Sequence, residues 1–274
     1  MGRIGIIIPT YNEAENLPEL VSEIEKKMVG HDFVLIIIDD NSEDGTWRVA
    51  EDLKRFYGNI MVKKRAEKLG IGSAVLDGIR TALADERVDL IVTLDGDLSH
   101  CPKDIPRLVN AAFEADVIQG SRYVKDGRIN GWSLTRRLAS LLANLFCRLL
   151  FGNSPYDYTG NFKVYSRRCA TLIAKYTGCR GFEWVVEAMV TAKRHGFKIK
   201  EVPITFNGRK NGSTKLRAKE VRAWMFFAFK ALLQGFGYWN SGSSLGFKVY
   251  SNRVIQKSST FNETLAEPVV STTM

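Results

Sequence analysis

The stretch VLIIIDDNS, residues 34–42, joins an uninterrupted run of apolar residues to a cluster of polar ones. The same arrangement occurs in IGIIIPTYNE, residues 4–13, and in LIVTLDGD, residues 90–97. Near-continuous Ile, Val and Leu runs of this length are typical of strands buried on both faces of a parallel sheet. Ligands of such sheets bind beyond the carboxyl ends of the strands, where all three polar clusters lie. The three clusters are therefore predicted to line one crevice.

Helical segments alternate with these runs. A further strand is predicted at Ile60 to Lys63, and the segments between strands carry apolar residues at helical spacing. The helices predicted from this spacing are Glu13 to Met28, Asp44 to Tyr57, Ile71 to Ala84 and Pro102 to Phe113. Repeated βα units of this kind predict an α/β fold with a doubly wound, mostly parallel sheet and flanking helices.

The second half of the chain is less regular. Its predicted elements are a helix at Leu134 to Phe151, a strand at Phe162 to Tyr165, a helix at Glu183 to His195 and a strand at Lys198 to Phe206. Residues 217–240 are rich in aromatic side chains, but charged residues interrupt them well short of the ~20 apolar residues that a membrane span needs. This segment is predicted to lie on a membrane surface, and the Ser/Thr-rich tail, 241–274, to be loosely structured.

Composition sets broad limits on function. The 274 residues carry 39 Lys and Arg against 30 Asp and Glu, a formal net charge of +9 that favours phosphates, anionic membranes or nucleic acid as partners. The basic residues are spread along the chain, so short clusters such as Lys63-Lys64-Arg65 and Arg136-Arg137 are interpreted as solvated surface. The four cysteines are far apart, which indicates reduced thiols rather than a zinc site or a disulfide framework. The N-terminus lacks the pattern of a secretory signal.

Asp95-Gly96-Asp97 is the strongest candidate for chemistry. Two carboxylates this close together stay ionised at low cost only when a cation is shared between them, and oxygen ligands indicate Mg²⁺ or Mn²⁺. The glycine is expected to let the backbone turn tightly between them. On spacing alone, a solvated turn that caps the following helix explains the three residues equally well. Asp39-Asp40 has the same alternative, although two acidic strand ends in one sheet favour a shared function.

Five motifs in a fixed order carry a resemblance to a known family. They are IIPTYNE at residues 7–13, IDDNS at 38–42, DGDLSH at 95–100, GSRY at 120–123 and Arg209-x-x-Gly212-x-Thr214-Lys215. Together they resemble the inverting GT-A glycosyltransferases, and most closely the dolichyl-phosphate mannose synthases. The resemblance runs from about Ile4 to Leu216 and implies a GT-A nucleotide-diphospho-sugar transferase domain over residues 1–216.

The resemblance implies a metal-dependent transfer of mannose from GDP-mannose to a dolichyl or other polyprenyl phosphate, with inversion. It assigns the metal to Asp95 and Asp97, with Ser99 standing where relatives have a glutamine ligand. It assigns donor binding to Pro9, Tyr11, Glu13, Ile38, Asp40, Asp95, Gly96, Asp97 and Arg209. It assigns catalytic roles to Asp95, Asp97, Arg122, Arg209 and Lys215. The basic residues among them, together with Arg136, match positions that face donor diphosphate or acceptor phosphate in relatives. Asp157 matches a motif near the acceptor, but an acceptor phosphate is already ionised and needs no strong general base.

Several alternatives stay open at this stage. Transfer from UDP-glucose or another sugar nucleotide fits the same motifs, and Ser99 in place of glutamine leaves room for a nucleotide-sugar-binding subunit without catalysis. The Leu134 to Phe151 helix suits either the core or the headgroup boundary of a membrane. His100 is expected to cap a helix start. The implied location is peripheral, on the cytoplasmic face of the endoplasmic reticulum or a prokaryotic plasma membrane. A small membrane-anchoring subunit is a candidate partner, and nucleic acid is not expected.

Overall fold

The computed structural model describes residues 2–178 and 180–208, so the predictions for Arg209, Lys215, 217–240 and 241–274 lie outside the described residues. The strands are β1 (Arg3–Thr10), β2 (Phe33–Asp39), β3 (Ile60–Lys64), β4 (Val88–Thr93), β5 (Val117–Ser121), β6 (Arg128–Ile129), β7 (Lys163–Ser166), β8 (Ile199–Pro203) and β9 (Thr205–Phe206). The helices are α1 (Leu17–Lys27), α2 (Thr46–Tyr57), α3 (Ile71–Leu83), α4 (Ile105–Ala111), α5 (Leu134–Phe151), α6 (Arg167–Tyr176) and α7 (Trp184–Arg194).

Seven strands form one sheet in the order β3-β2-β1-β4-β7-β5-β8. All neighbours pair in parallel except β7, which is antiparallel to both β4 and β5. The predicted mostly parallel, doubly wound sheet is therefore confirmed. The chain first winds from β1 outward to β3 and then returns past β1 to β4, which creates a topological switch point between β1 and β4. Ligands of open α/β sheets bind at such points.

The apolar residues of the strands pack into two hydrophobic cores, one on each face of the sheet. Successive side chains of a strand point to opposite faces, so Ile7, Ile36 and Ile38 join one core while Ile6 and Ile8 join the other. Helices α3, α6 and α7 contribute to the first core, and α1, α2 and α4 contribute to the second. This two-sided burial is why the central strands carry almost no polar residues before their carboxyl ends.

Some elements differ from the sequence predictions. The helix predicted at Pro102 to Phe113 is a 3-10 turn at Pro102–Asp104 followed by α4. The single strand predicted at Lys198 to Phe206 is two strands in different sheets, since β9 pairs with β6. Strand β5 and helix α6 were not predicted. In β5 the fully buried Gln119 interrupts the apolar run, and its side chain instead donates to the Gly120 carbonyl at 2.8 Å.

Helix α5 presents most of its leucines to the surroundings. The exposed side chains are Leu134, Leu138, Leu141, Leu142, Leu145 and Leu149, with exposed fractions from 48% to 82%. The buried residues of this helix are Asn144 and Cys147. The alternative that placed the leucines in the core is therefore wrong for the described part of the chain. None of the helices in the described part of the chain is long and apolar enough to span a membrane.

Candidate active site

The loops that follow β1 and β4 meet at the switch point. A Cβ atom added to Gly96 would lie 3.3 Å from the Pro9 carbonyl oxygen and 3.3 Å from Cγ2 of Thr10. The glycine is thus needed for close approach to the end of β1, and its φ lies outside the left-handed region. The backbone N–H of Asp40 donates to the Thr10 carbonyl at 2.9 Å, so the end of β2 also lies beside the end of β1. The three polar clusters therefore converge, as the sequence predicts.

Asp97 is buried at the base of this loop. Its Oδ1 accepts hydrogen bonds from the backbone N–H of Ser99 at 3.1 Å and from the Ser99 hydroxyl at 2.5 Å. Leu98 between them has a φ of +61°, a left-handed conformation that costs a bulky residue about 1–3 kcal/mol. The following 3-10 turn has Cys101 at its N-cap. The carboxylate of Asp97 is held by its own loop, so the helix-cap alternative does not describe it.

Asp95 is the more exposed of the two acids. Its Oδ1 accepts a hydrogen bond of 2.7 Å from the side-chain amide of Asn161, and Thr93 at the end of β4 donates to the Asn161 carbonyl at 2.7 Å. Asn161 is buried, so it is a rigid support for the carboxylate. The segment just before β7 therefore orients the first acid of the Asp95-Gly96-Asp97 motif.

His100 does not cap a helix start, which corrects the sequence prediction. It is 1% exposed and packs between the rings of Phe162 and Phe206, at centroid distances of 5.1 and 5.2 Å. Its Nδ1 accepts the backbone N–H of Asp95 at 3.0 Å, so the ring carries its proton on Nε2. Burial lowers the pKa of His100, although Asp95 and Asp97 oppose this shift. A neutral, buried imidazole thus holds the backbone of the loop that carries Asp95 and Asp97.

Asp95 and Asp97 fit a divalent cation that binds together with a diphosphate. Across residues 2–178 and 180–208 there is no group of three or more His, Cys, Asp or Glu side chains arranged to hold a metal. Mg²⁺ commonly uses one or two carboxylates, and substrate phosphates and water complete its coordination. Two supported carboxylates at the switch point match that pattern. Ser99 as a third ligand stays a prediction, because the structure shows its hydroxyl donating to Asp97.

The acidic end of β2 is bonded within the protein. Asp39 accepts from the Ser42 hydroxyl at 2.5 Å and from its backbone N–H at 3.0 Å. Asp40 accepts from the backbone N–H groups of Leu69 and Gly70, at 2.9 and 2.8 Å. Arg65 adds a 2.9 Å ion pair to the same carboxylate, with both side chains 5% exposed. The interpretation of Lys63-Lys64-Arg65 as solvated surface is therefore wrong for Arg65, which fixes the loop before α3.

The other residues assigned to nucleotide binding differ in exposure. Tyr11 is half-buried, and Lys68 Nζ lies 3.3 Å from the centre of its ring. Glu13 is buried and accepts a 2.6 Å hydrogen bond from the Asn16 side chain. Pro9 is buried at the end of β1. The side chain of Ile38 is fully buried in the core, so only its main chain is placed to reach a ligand.

Arg122 and Asp157 form a buried, bidentate ion pair beside this crevice. Arg122 Nε and Nη2 donate to the two Asp157 oxygens at 2.8 and 2.7 Å, and Nη2 also donates to the Thr159 hydroxyl at 2.8 Å. The side chains of Arg122 and Asp157 are 6% and 0% exposed. The rings around the guanidinium, 5.3 to 5.5 Å from its carbon, belong to Tyr123, Trp132 and Phe206. These three hydrogen bonds use Nε and Nη2 of Arg122 and do not involve Nη1.

The electrostatics of this pair exclude Asp157 as a general base. Burial alone would raise the pKa of the Asp157 carboxyl, but the charge and hydrogen bonds of Arg122 outweigh it and lower that pKa. Lys163, fully buried on β7, donates to the Gly160 carbonyl, and burial lowers its pKa to about 7. An ionised carboxylate that is held on both oxygens by a guanidinium is a poor proton acceptor.

Arg136 lies at the start of α5, where its guanidinium carbon is 4.2 Å from the centre of the Trp132 ring. Trp132 therefore lies near both Arg136 and Arg122. Arg209 and Lys215, the other basic residues of the predicted site, are outside the described residues.

The sequence pattern of the family described as glycosyl transferase family 2 matches residues 5–171. The chain belongs to glycosyl transferase family 2. The matched region contains the loops after β1, β2 and β4, together with Arg122, Asp157 and Asn161. Every element of the site described above except β9 is therefore part of the family domain.

Two named relatives of this family 2 glycosyltransferase are similar to it over most of the chain. A dolichol-phosphate mannosyltransferase of Pyrococcus furiosus is 32% identical over 233 residues, 84% of this chain and 64% of its own length. A polyprenol monophosphomannose synthase of Mycolicibacterium smegmatis is 34% identical over 227 residues, 82% of this chain and 84% of its own. The chain thus spans less than two thirds of the Pyrococcus protein.

Solved structures show the fold of this family 2 glycosyltransferase to be GT-A, as predicted. Glucosyl-3-phosphoglycerate synthase from Mycobacterium tuberculosis, in complex with Mn²⁺ and UDP-glucose, superposes with a TM-score of 0.62. The identity is 19%, and the match covers 88% of this chain and 81% of the other. The complex with Mn²⁺, UDP and glucosyl-3-phosphoglycerate gives a TM-score of 0.61 at 18% identity.

Sequence reasoning missed the residues that support the site in this family 2 glycosyltransferase. Asn161, Arg65 and Thr159 each bond to a predicted site residue. Thr159 and Asn161 stand in the same short run as Asp157, and that run was the available signal for them. No sequence pattern around Arg65 indicates its burial, because that burial depends on ion pairs with Asp40 and Asp77 that form only in the folded chain.

Proposed function

We propose that this glycosyltransferase moves a mannosyl group from GDP-mannose to a polyprenyl phosphate such as dolichyl phosphate, with inversion at the anomeric carbon. The names of the Pyrococcus and Mycolicibacterium relatives support this acceptor and sugar. The shared fold with glucosyl-3-phosphoglycerate synthase leaves a small soluble acceptor as the alternative that must be distinguished.

The exposed leucine face of α5 is the observation that favours a lipid acceptor. Six leucines are exposed along 18 residues, and the helix also carries Arg136, Arg137 and Arg148 but no acidic residue. An amphipathic helix with leucines and arginines suits the headgroup boundary of an anionic membrane. A soluble acceptor such as phosphoglycerate would not need this surface. The helix begins close to Trp132 and Arg122, so a lipid phosphate held at this surface would be near the crevice.

The chain's own residues would bind and orient the two substrates. Asp95 and Asp97 would hold Mg²⁺ or Mn²⁺, and a bound cation would neutralise charge on the departing diphosphate. The loop after β1, with Pro9, Tyr11 and Glu13, and the loop fixed by Asp40 would enclose the nucleotide. Arg122, Arg209 and Lys215 would supply positive charge for donor or acceptor phosphate.

The acceptor needs no deprotonation in this reaction. An ionised phosphate oxygen attacks the anomeric carbon, the bond to the donor phosphate breaks, and GDP leaves with that electron pair. Consistent with this, Asp157 is committed to Arg122 and His100 is neutral and buried. A transferase that used base catalysis would need a carboxylate able to accept a proton from the acceptor. The Asp157 carboxylate is instead held in an ion pair with Arg122.

The proposed location is peripheral, on the cytoplasmic face of a membrane, with α5 on the lipid surface. A small membrane-anchoring subunit is a further proposed partner.

A transfer assay with two donors tests the proposed function. Purified protein is incubated with Mn²⁺, polyprenyl phosphate in vesicles and either labelled GDP-mannose or labelled UDP-glucose, and the label is counted after lipid extraction. We expect lipid-extractable label with GDP-mannose. Label from UDP-glucose alone would reassign the donor, and no label from either would overturn the proposed activity.

Charging the leucine face should release the protein from vesicles. Replacing Leu141 and Leu145 together with glutamate removes two apolar contacts and adds repulsion from anionic lipid, so vesicle affinity should fall by more than about tenfold. Phe113→Glu is the matched control, since Phe113 is 75% exposed but lies beyond α4. Co-sedimentation with phosphatidylglycerol vesicles measures the effect. Equal binding by both variants would rule out α5 as the membrane contact.

A further inference from the structure

The buried inner face of α5 is joined to the segment that follows Asp157 by the hydrogen bonds of Asn144. Asn144 is 3% exposed, in contrast to the six exposed leucines of the same helix. Its Oδ1 accepts the backbone N–H groups of Tyr158 and Thr159 at 2.7 and 3.2 Å. Its Nδ2 donates to the Ser140 carbonyl at 2.9 Å and to the Thr159 hydroxyl at 3.1 Å. Both ends of the amide are therefore used, which fixes its orientation.

Thr159 continues this connection to Arg122. The Thr159 hydroxyl accepts from Asn144 and also from Arg122 Nη2 at 2.8 Å. The two backbone groups that Asn144 binds lie directly after Asp157, whose carboxylate holds the other side of the guanidinium. Asn144 thus fixes the short segment that carries both partners of Arg122.

A second contact joins the same two parts of the protein. The hydroxyl of Tyr123, the residue after Arg122, donates to the Ser140 hydroxyl on α5 at 2.7 Å. Further along, Asn161 connects the same segment to Asp95 at 2.7 Å. A displacement of α5 therefore reaches the guanidinium through hydrogen bonds, and not only through apolar packing.

We propose that Asn144 is a positioning residue that couples the seating of α5 on the lipid surface to the orientation of Arg122 toward the acceptor phosphate. This inference rests on the proposed function. Asn144 touches neither substrate; it acts through Thr159 and the backbone of 158–159. The coupling links lipid contact on one face of α5 to acceptor binding on the other.

Two variants and one control test the coupling. Asn144→Leu removes all four hydrogen bonds and keeps the number of side-chain heavy atoms, and Thr159→Val removes only the hydroxyl between Asn144 and Arg122. Both should raise the acceptor KM on the order of 10-fold to 100-fold, because small misplacements of a binding group have effects of this size. The KM for the sugar nucleotide should stay within about twofold, because the proposal directs Arg122 to the acceptor phosphate and not to the donor. Cys147→Ala, on the same inner face, should leave both KM values near wild type.

The acceptor is presented in two forms, as long-chain polyprenyl phosphate in vesicles and as a short-chain analogue in detergent. The Asn144→Leu and Thr159→Val variants should lose acceptor affinity in both forms, whereas the double variant Leu141→Glu with Leu145→Glu should lose it only with vesicles. An unchanged acceptor KM in Asn144→Leu would overturn the inference. It would also be overturned if the KM values for acceptor and sugar nucleotide rose equally in Asn144→Leu and Cys147→Ala showed the same rise. A wild-type protein that makes no lipid product would overturn the proposed function and the inference with it.

Discussion

Replacing Asp97 with asparagine is expected to lower mannosyl transfer by ~10²–10³-fold while the protein stays folded. The amide oxygen can still accept the hydrogen bonds that Ser99 gives to Oδ1, so the loop around Leu98 keeps its conformation. What the variant loses is the negative charge that the proposed cation requires. The measurement is kcat/KM for lipid-extractable product at saturating Mn²⁺, with thermal unfolding as the check on folding.

Asp89→Asn is a matched control for this change. Asp89 is an exposed acid on β4, and its carboxylate accepts a 2.9 Å hydrogen bond from the backbone N–H of Gly2. Its loss should leave the transfer rate unchanged. An Asp97→Asn protein with wild-type kcat/KM would remove Asp97 from the catalytic site.

Replacing Asp157 with alanine is expected to have the largest effect on stability. It leaves the Arg122 guanidinium buried without its counter-ion, beside the buried Lys163, and an unpaired buried charge costs about 3–5 kcal/mol of unfolding free energy. The variant should also be inactive, because Arg122 loses the partner that orients it. Urea unfolding followed by circular dichroism measures the loss.

A double variant separates the two effects. Arg122→Met with Asp157→Leu replaces the ion pair by apolar side chains, which is often close to neutral for stability. We expect it to recover much of the lost unfolding free energy but none of the transfer activity. A single Asp157→Ala variant that unfolds at the wild-type urea concentration would contradict the role of this pair.

The sequence predicted what depends on local pattern. The apolar runs before Asp39 and Asp95 identify strands because burial on both faces demands continuous apolar residues, and the polar residues after them mark the crevice. The apolar pattern does not identify β5, because the buried Gln119 interrupts the run; its side-chain amide donates to the carbonyl of the next residue, Gly120. Local pattern also left open whether α5 is core or surface, since six leucines on one helix face fit both.

The remaining parts of the site depend on contacts between distant residues. Arg122 reaches Asp157 across 35 positions, and Asn161 reaches Asp95 across 66. The burial of Arg65 follows from its pairing with Asp40, 25 positions away. Burial of His100 between Phe162 and Phe206 decides that it accepts a hydrogen bond from Asp95 instead of capping a helix. Such pairings are set by the sheet order, which the strand pattern alone does not give.

The binding of Mn²⁺ in the presence of GDP tests the central claim most directly, namely that Asp95-Gly96-Asp97 holds a divalent cation together with a nucleoside diphosphate. Electron paramagnetic resonance of Mn²⁺ distinguishes bound from free ion. Wild-type protein with GDP should bind one Mn²⁺ per chain, and Asp97→Asn under the same conditions should leave the ion free. Equal Mn²⁺ binding by the two proteins would contradict the account.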